Sequence, residues 1–248
     1  MLVRVLIACG LAMALTMGEA AEVKVLSAGA VEPGVEAFVH QVKRELGHDV
    51  KVLFNTAPQI AKRLAAGETY DILISPPPVV SQAAKEGKVM ADTRVPIGRV
   101  GAGITVRSSA PAPDVSTVDA LKKAVLGADS LVYNQASTGI YLDKLFAEMG
   151  VLDALKPKTT RYANGAMVLE HVIAGKGNEI GFGAMTEIRL YESKGLKLVG
   201  PLPAAIQNYT SYEAVLMSGA TMTDAARAVL KLLATPAAKA TFVKAGIE

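Results

Sequence analysis

The feature that most constrains this fold is an alternation. Short apolar runs take turns with helical patterns along nearly the whole chain. Val23-Lys-Val-Leu-Ser27 predicts a strand, and the pattern from Val35 to Glu45 predicts a helix. Val50-Lys-Val-Leu-Phe54 is the next strand, followed by a helix over Pro58 to Ala66. Ile72-Leu-Ile-Ser75 is the third, followed by a helix over Val79 to Glu86. This order predicts a parallel sheet covered by helices. Ligands of such sheets bind beyond the carboxyl ends of the strands. Those ends are Ser27-Ala28-Gly29-Ala30, Phe54-Asn55-Thr56-Ala57 and Ser75-Pro-Pro-Pro78, all small, polar or turn-forming.

A second run of the same kind follows the Gly-containing strand Arg99 to Arg107 and the Pro-rich turn Ser108 to Asp114. It comprises a helix over Thr117 to Leu126, a strand from Ser130 to Tyr133, a helix from Ser137 to Met149 and a strand from Thr159 to Tyr162. A helix from Ala166 to Ala174 and a strand Glu179-Ile-Gly-Phe-Gly183 complete it. After Leu196 to Val199 the chain passes through Gly-Pro-Leu-Pro-Ala-Ala-Ile-Gln207, alternates as a strand from Tyr209 to Met217 and ends in two helices. The expected fold class is therefore α/β, with two Rossmann-like lobes joined by two hinge crossings near 96–103 and 201–212. Residues 21–98 with 206–248 form the first lobe and residues 99–205 the second. A ligand would sit in the cleft between them.

The segment Tyr133-Asn134-Gln-Ala-Ser137-Thr138-Gly139 carries the chemistry. A strand ends at Asn134 and a helix opens at Ser137. A helix start leaves unpaired N–H groups and a partial positive charge. Two hydroxyls and a glycine beside it make an anion seat, although Ser and Thr are also ordinary helix caps.

Composition removes several classes. The chain has 248 residues, 51% hydrophobic and 20% charged, with a net charge of +3. That charge, without a Lys/Arg run or a basic-aromatic stripe, gives no footprint for nucleic acid. Arg4, the apolar stretch Val5 to Met17 and the small residues through Ala20 predict an export signal over residues 1–20. The single cysteine, Cys9, falls inside it, so the expected mature chain has no disulfide and no thiol chemistry. His40, His48 and His171 are the only histidines and lack zinc-ligand spacing, so no metal and no cofactor is expected. A cysteine-free exported chain fits the bacterial periplasm.

The first strand with its Ser-Ala-Gly-Ala turn, the helix Gln59-Ile-Ala-Lys-Arg-Leu-Ala-Ala-Gly-Glu68, the stretch Tyr70-Asp-Ile-Leu-Ile-Ser75 and the late segment Ile180-Gly-Phe-Gly-Ala-Met-Thr-Glu187 carry a resemblance. Over nearly the whole mature chain it resembles the periplasmic solute-binding proteins of the molybdate-binding-like branch, with the type II two-lobed fold. That resemblance implies a small anionic ligand, a membrane ABC permease as partner and a monomer. The chain also departs from the branch. Ala30 stands where the branch places an oxyanion-binding serine, the second Ser/Gly loop is shortened to Asn55-Thr-Ala-Pro58, and Ala184 stands where a tyrosine is usual. These losses point away from molybdate and toward a larger anion, an organic polycarboxylate.

Arg99, Arg107 and Arg161 are the candidate cations, since an Arg fork holds a carboxylate bidentately. Ser27, Ala28, Asn55, Thr56, Tyr133, Asn134, Ser137, Thr138 and Gly139 complete the expected ligand set. The alternative is an enzyme, because aconitate isomerase resembles the same branch. Shifting a double bond in a tricarboxylate requires an acid/base group at the cleft, and the candidates are Glu32, Glu187 and His171.

Overall fold

The computed structural model describes residues 20–248. All but the last residue of the expected export signal lies outside that range. Three parallel strands, β1 (Glu22–Ala28), β2 (Asp49–Asn55) and β3 (Ile72–Ser75), open the sheet in the order β2-β1-β3. The helices α1 (Glu32–Leu46), α2 (Ala57–Ala65) and α3 (Pro77–Lys85) connect and follow them. Each helix starts earlier than its apolar periodicity indicates, because Pro33, Pro58 and Pro77 occupy first-turn positions. A proline there gives up an N–H that has no intrahelical acceptor in any case.

The strand β4 (Val95–Arg107) joins the two halves of the molecule. It pairs antiparallel with β9 (Tyr209–Leu216) as far as Gly101, and from Ala102 onward with β7 (Glu179–Ala184) and β8 (Leu196–Pro201). It begins four residues before Arg99 and accommodates Pro96 beside a register shift between Pro96 and Gly98. The second half adds β5 (Ser130–Asn134) and β6 (Thr159–Tyr162), both parallel to β7 in the order β7-β5-β6. Helices α4 (Val118–Gly127), α5 (Ser137–Glu148), the single turn α6 (Leu152–Leu155), α7 (Gly165–Ala174) and α8 (Met185–Leu190) belong to it. The chain then returns through β9 to α9 (Thr223–Leu233) and α10 (Pro236–Lys244) on the first half.

Each half has its own core. In the first, Phe38 of α1 meets Phe242 of α10 with ring centres 5.9 Å apart. Asp71, almost wholly buried, fastens this half together. Its two oxygens accept from the N–H groups of Lys24, Thr221 and Met222 at 2.8–2.9 Å. In the second, Tyr133, Phe146 and Phe182 stack edge to face at 5.9–6.3 Å. Each such buried ring contributes roughly 2–3 kcal/mol through burial.

Candidate functional site

The carboxyl ends of strands from both halves converge on one small, half-open cavity of about 40 Å³. From the first half come Ala28-Gly29-Ala30, Asn55-Thr56-Ala57 and Pro76. From the second come Asn134, Ala136, Ser137, Thr138, Ala184 and Glu187, and Tyr212 of β9 closes the wall. A larger depression, about 600 Å³, lies under the turn 110–114 at the amino ends of β5 and β7, away from these helix starts.

The start of α5 is built around Asn134. Its Oδ1 accepts from the N–H of Ala136 at 2.9 Å and of Gly139 at 3.4 Å. Among the described residues, nothing accepts from the N–H groups or hydroxyls of Ser137 and Thr138, and both residues, at the positive end of α5, line the cavity. Gly139 is required by close approach: a Cβ there would overlap the Asn134 carbonyl. Arg161 stands behind this junction. It pairs with Asp143 and donates to the Asn134 carbonyl at 3.1 Å. Tyr133 is buried beside it and donates to Asp143 Oδ1 at 3.0 Å. Burial and that carboxylate push its phenol up to about 12.

Opposite lie the turns of the first half. Ala28, Asn55 and Thr56 reach the cavity, whereas Ser27 is fully buried and donates to the Ala28 carbonyl at 3.2 Å. The Asn55 amide oxygen accepts from Arg63 Nε at 2.6 Å. The Thr56 hydroxyl caps α2 through Gln59 at 3.0 Å and faces the Ala163 carbonyl across the cleft at 3.2 Å. A second bridge joins the halves where Thr186 donates to the Ala30 carbonyl at 2.6 Å.

Arg99 and Arg107 stand apart from the cavity. Arg99 lies 4.2 Å over the Tyr209 ring and pairs with Glu248 at 3.2 Å. Arg107, at the far end of β4, donates to the Gly177 carbonyl at 3.0 Å. Among the described residues, neither a lysine nor an arginine lines the cavity, so its polar groups are neutral donors, the start of α5 and the Glu187 carboxyl.

Of the three acid/base candidates, Glu187 alone lines the cavity. A Cβ on Gly29 would stand 2.8 Å from its Oε1, and one on Gly165 2.5 Å from its Oε2, so a glycine from each half leaves room for the carboxyl. Burial and the nearby Glu32 carboxylate push Glu187 up to about 7, while the Ala184 N–H acts the other way. Glu32, at the start of α1, is itself raised by burial and by Glu36. His171 faces outward on α7, its Nδ1 2.9 Å from the Tyr162 hydroxyl.

Tyr212 is the cavity residue that sequence reasoning passed over. It is buried, and its phenol is held above the usual range by burial and by Glu187. The available signal was the alternation in β9, which places Tyr212 on the inward face with Ala214 and Leu216.

A two-lobed α/β molecule with a cavity between its halves has the architecture of the type II solute-binding proteins. Residues 23–248 match the family model of the bacterial extracellular solute-binding proteins, and the chain belongs to that family. Among curated proteins it is similar to an aconitate isomerase from a Pseudomonas species, at 28% identity over 194 residues, covering 78% of this chain and 73% of the relative. Among solved structures it resembles the sulfate-binding protein SubI of Mycobacterium tuberculosis H37Rv, with a TM-score of 0.76 and 16% identity over 92% of this chain and 86% of that one. It also resembles the periplasmic molybdate-binding protein of Azotobacter vinelandii, with a TM-score of 0.75 and 17% identity over 91% of this chain and 98% of that one. At these identities the structural likeness shows the fold alone.

Proposed function

We propose that the protein is a periplasmic receptor that captures a small organic polycarboxylate in the cleft between its halves and hands it to an ABC permease. The observation that carries this reading is that Ser137 and Thr138, whose donors have no protein acceptor among the described residues, line one cavity together with the Ala28–Ala30 and Asn55–Ala57 turns. A helix start of this kind favours an anion without requiring a cation. Ala30 and Ala184 at the wall leave more space than a serine and a tyrosine would, which supports a ligand larger than molybdate. The cavity of about 40 Å³ is small, so entry requires the halves to part, with β4 and β9 as the hinge. Export to the periplasm, a monomeric state and the absence of a cofactor belong to the same reading. Thermal shift and calorimetry against a panel of oxyanions and carboxylates test it. Stabilisation by a di- or tricarboxylate is the expected result. Tight molybdate binding with indifference to carboxylates would sink the ligand assignment.

The position of Glu187 favours a second reading on the same ligand class. A carboxyl group that titrates near 7 at the wall of the cleft is suited to both taking and returning a proton at neutral pH. In a tricarboxylate alkene, Glu187 would remove a proton from the methylene beside the double bond. The electron pair would shift through the alkene toward the neighbouring carboxylate, and the same proton would return at the distal carbon. The named relative, an aconitate isomerase, supports this chemistry. Incubation with cis- or trans-aconitate, followed by proton NMR, checks it. A change in isomer ratio that disappears in Glu187→Gln is expected, and a constant ratio leaves the receptor reading.

A further inference from the structure

The cleft combines two elements that ordinarily repel: a seat for an anion and a carboxyl group. Glu187 lines the same cavity as Ser137 and Thr138, no lysine or arginine among the described residues lines that cavity, and Gly29 and Gly165 flank the carboxyl from both halves. The groups around α8 do not relieve the repulsion. Glu32 approaches from α1, with Glu36 behind it, and Glu170 of α7 lies near Tyr191. Lys194 acts on Glu32. Arg189, on α8 itself, lies toward Gly246, Lys197 of β8 donates to the Ala110 carbonyl, and His171 of α7 meets Tyr162. Arg99 and Arg107 of β4 are committed to Glu248 and the Gly177 carbonyl, and Glu179 of β7 accepts from Gly177 N–H at the far end of its strand.

We infer that Glu187 couples ligand capture in this cleft to proton uptake: an anion basic enough to share a proton with this carboxyl is held, and a weakly basic oxyanion such as sulfate is refused. The physical reason is the shared hydrogen. Two carboxylates in contact repel, whereas a carboxyl and a carboxylate sharing one proton form a charge-assisted hydrogen bond. A polycarboxylate meets this condition, because one of its groups can sit in the donor seat while another shares the proton with Glu187. Sulfate, the conjugate base of a far stronger acid than a carboxylic acid, shares that proton poorly, and above pH 7 it would face a bare carboxylate. The Tyr212 phenol, on the same wall, adds a neutral donor that needs no proton uptake. The inference deepens the polycarboxylate reading and rests on it for the identity of the ligand, but not for the proton.

Calorimetry in two buffers of different ionisation enthalpy tests it, with trans-aconitate, inorganic phosphate, sulfate and molybdate titrated into wild type and Glu187→Gln between pH 6 and pH 8.5. Wild type is expected to take up close to one proton per trans-aconitate at pH 8. Its affinity should fall about tenfold per pH unit above 7, since the protonated fraction of Glu187 falls at that rate. Glu187→Gln should abolish both the uptake and the slope and bind sulfate or molybdate more tightly than wild type does. Tyr212→Phe should weaken binding several-fold and keep the proton uptake. Circular dichroism establishes that each variant is folded. Carboxylate binding without proton uptake, or wild-type sulfate binding as tight as carboxylate binding, would overturn the inference and leave the receptor reading intact. Phosphate binding with proton uptake and no carboxylate binding would do the reverse. Binding of none of the four anions would overturn both.

Discussion

Two strand-to-helix junctions reach the cleft from comparable positions and offer it opposite chemistry. At the end of β3, Ser75 leads into Pro76-Pro77-Pro78, so the first positions of α3 carry no N–H at all. At the end of β5, Asn134 leads into Ser137-Thr138-Gly139, and the first turn of α5 presents two N–H groups and two hydroxyls with no protein acceptor among the described residues. Both junctions lie at the carboxyl ends of strands, where an open α/β sheet places its ligands. The comparison teaches that the end of a strand supplies only the location. The residues of the first helical turn decide whether that location binds an anion or simply closes the wall.

Four changes break or sharpen this contrast. The largest effect is expected from Gly139→Ala. In the interior of an exposed helix such a change gains up to about 1 kcal/mol. Here the added Cβ would overlap the Asn134 carbonyl and crowd Arg161, so a loss of about 3 kcal/mol in urea unfolding is expected, together with loss of the ligand response. The double variant Ser137→Ala, Thr138→Val removes two donors while keeping the fold. It should weaken anion binding by roughly 10- to 30-fold, which corresponds to about 1.4–2 kcal/mol, with unfolding nearly unchanged.

Glu187→Gln comes next, and its effect depends on pH. The carboxyl titrates near 7 in the folded protein and near its ordinary value of 4.5 when unfolded. The folded state therefore holds the proton more tightly, and its stability falls as pH rises from about 4.5 to 7. The variant should match wild type at pH 4 and gain about 1–2 kcal/mol at pH 8.5, a gain of several degrees in thermal midpoint. Pro77→Ala is expected to change least. It returns one N–H to α3 but leaves Pro76 and Pro78 in place, so anion affinity should stay within twofold and stability should fall by about 0.5 kcal/mol. A large gain in affinity would show that donors at the first junction also serve the ligand.

Much of the fold was legible because the pattern that defines it is local. The alternation of apolar runs and helical periods predicts β1, β2, β3, β5, β6 and β7 within a residue or two of their observed bounds. The helix starts were less legible: α1 begins at Glu32 and α3 at Pro77, ahead of the Val35 and Val79 starts that the periodicity indicates, because Pro33 and Pro77 fit the first turn. The candidate site divides along the same line. Asn134, Ser137, Thr138 and Thr56 sit at strand ends, where chemistry and position coincide in the sequence, and all four line the cavity. The arginines offered no such signal. Arg161 looks like a rim cation because it stands near the carboxyl end of a strand, yet Asp143, 18 residues earlier, pairs with it behind the start of α5.

The sequence by itself determined the order of elements, the two α/β halves and the Ser-Thr-Gly start of α5. These depend on periodicity and on helix-end chemistry, both confined to a few neighbouring residues. Only the tertiary structure decided what stands opposite that seat. Glu187 joins the cavity because β7 ends beside β4 and because Gly29 and Gly165, 136 positions apart in the chain, both leave room for its carboxyl. Its pKa near 7 follows from burial and from Glu32 on another helix. Such a shift depends on distances between remote segments, and no spacing along the chain encodes them.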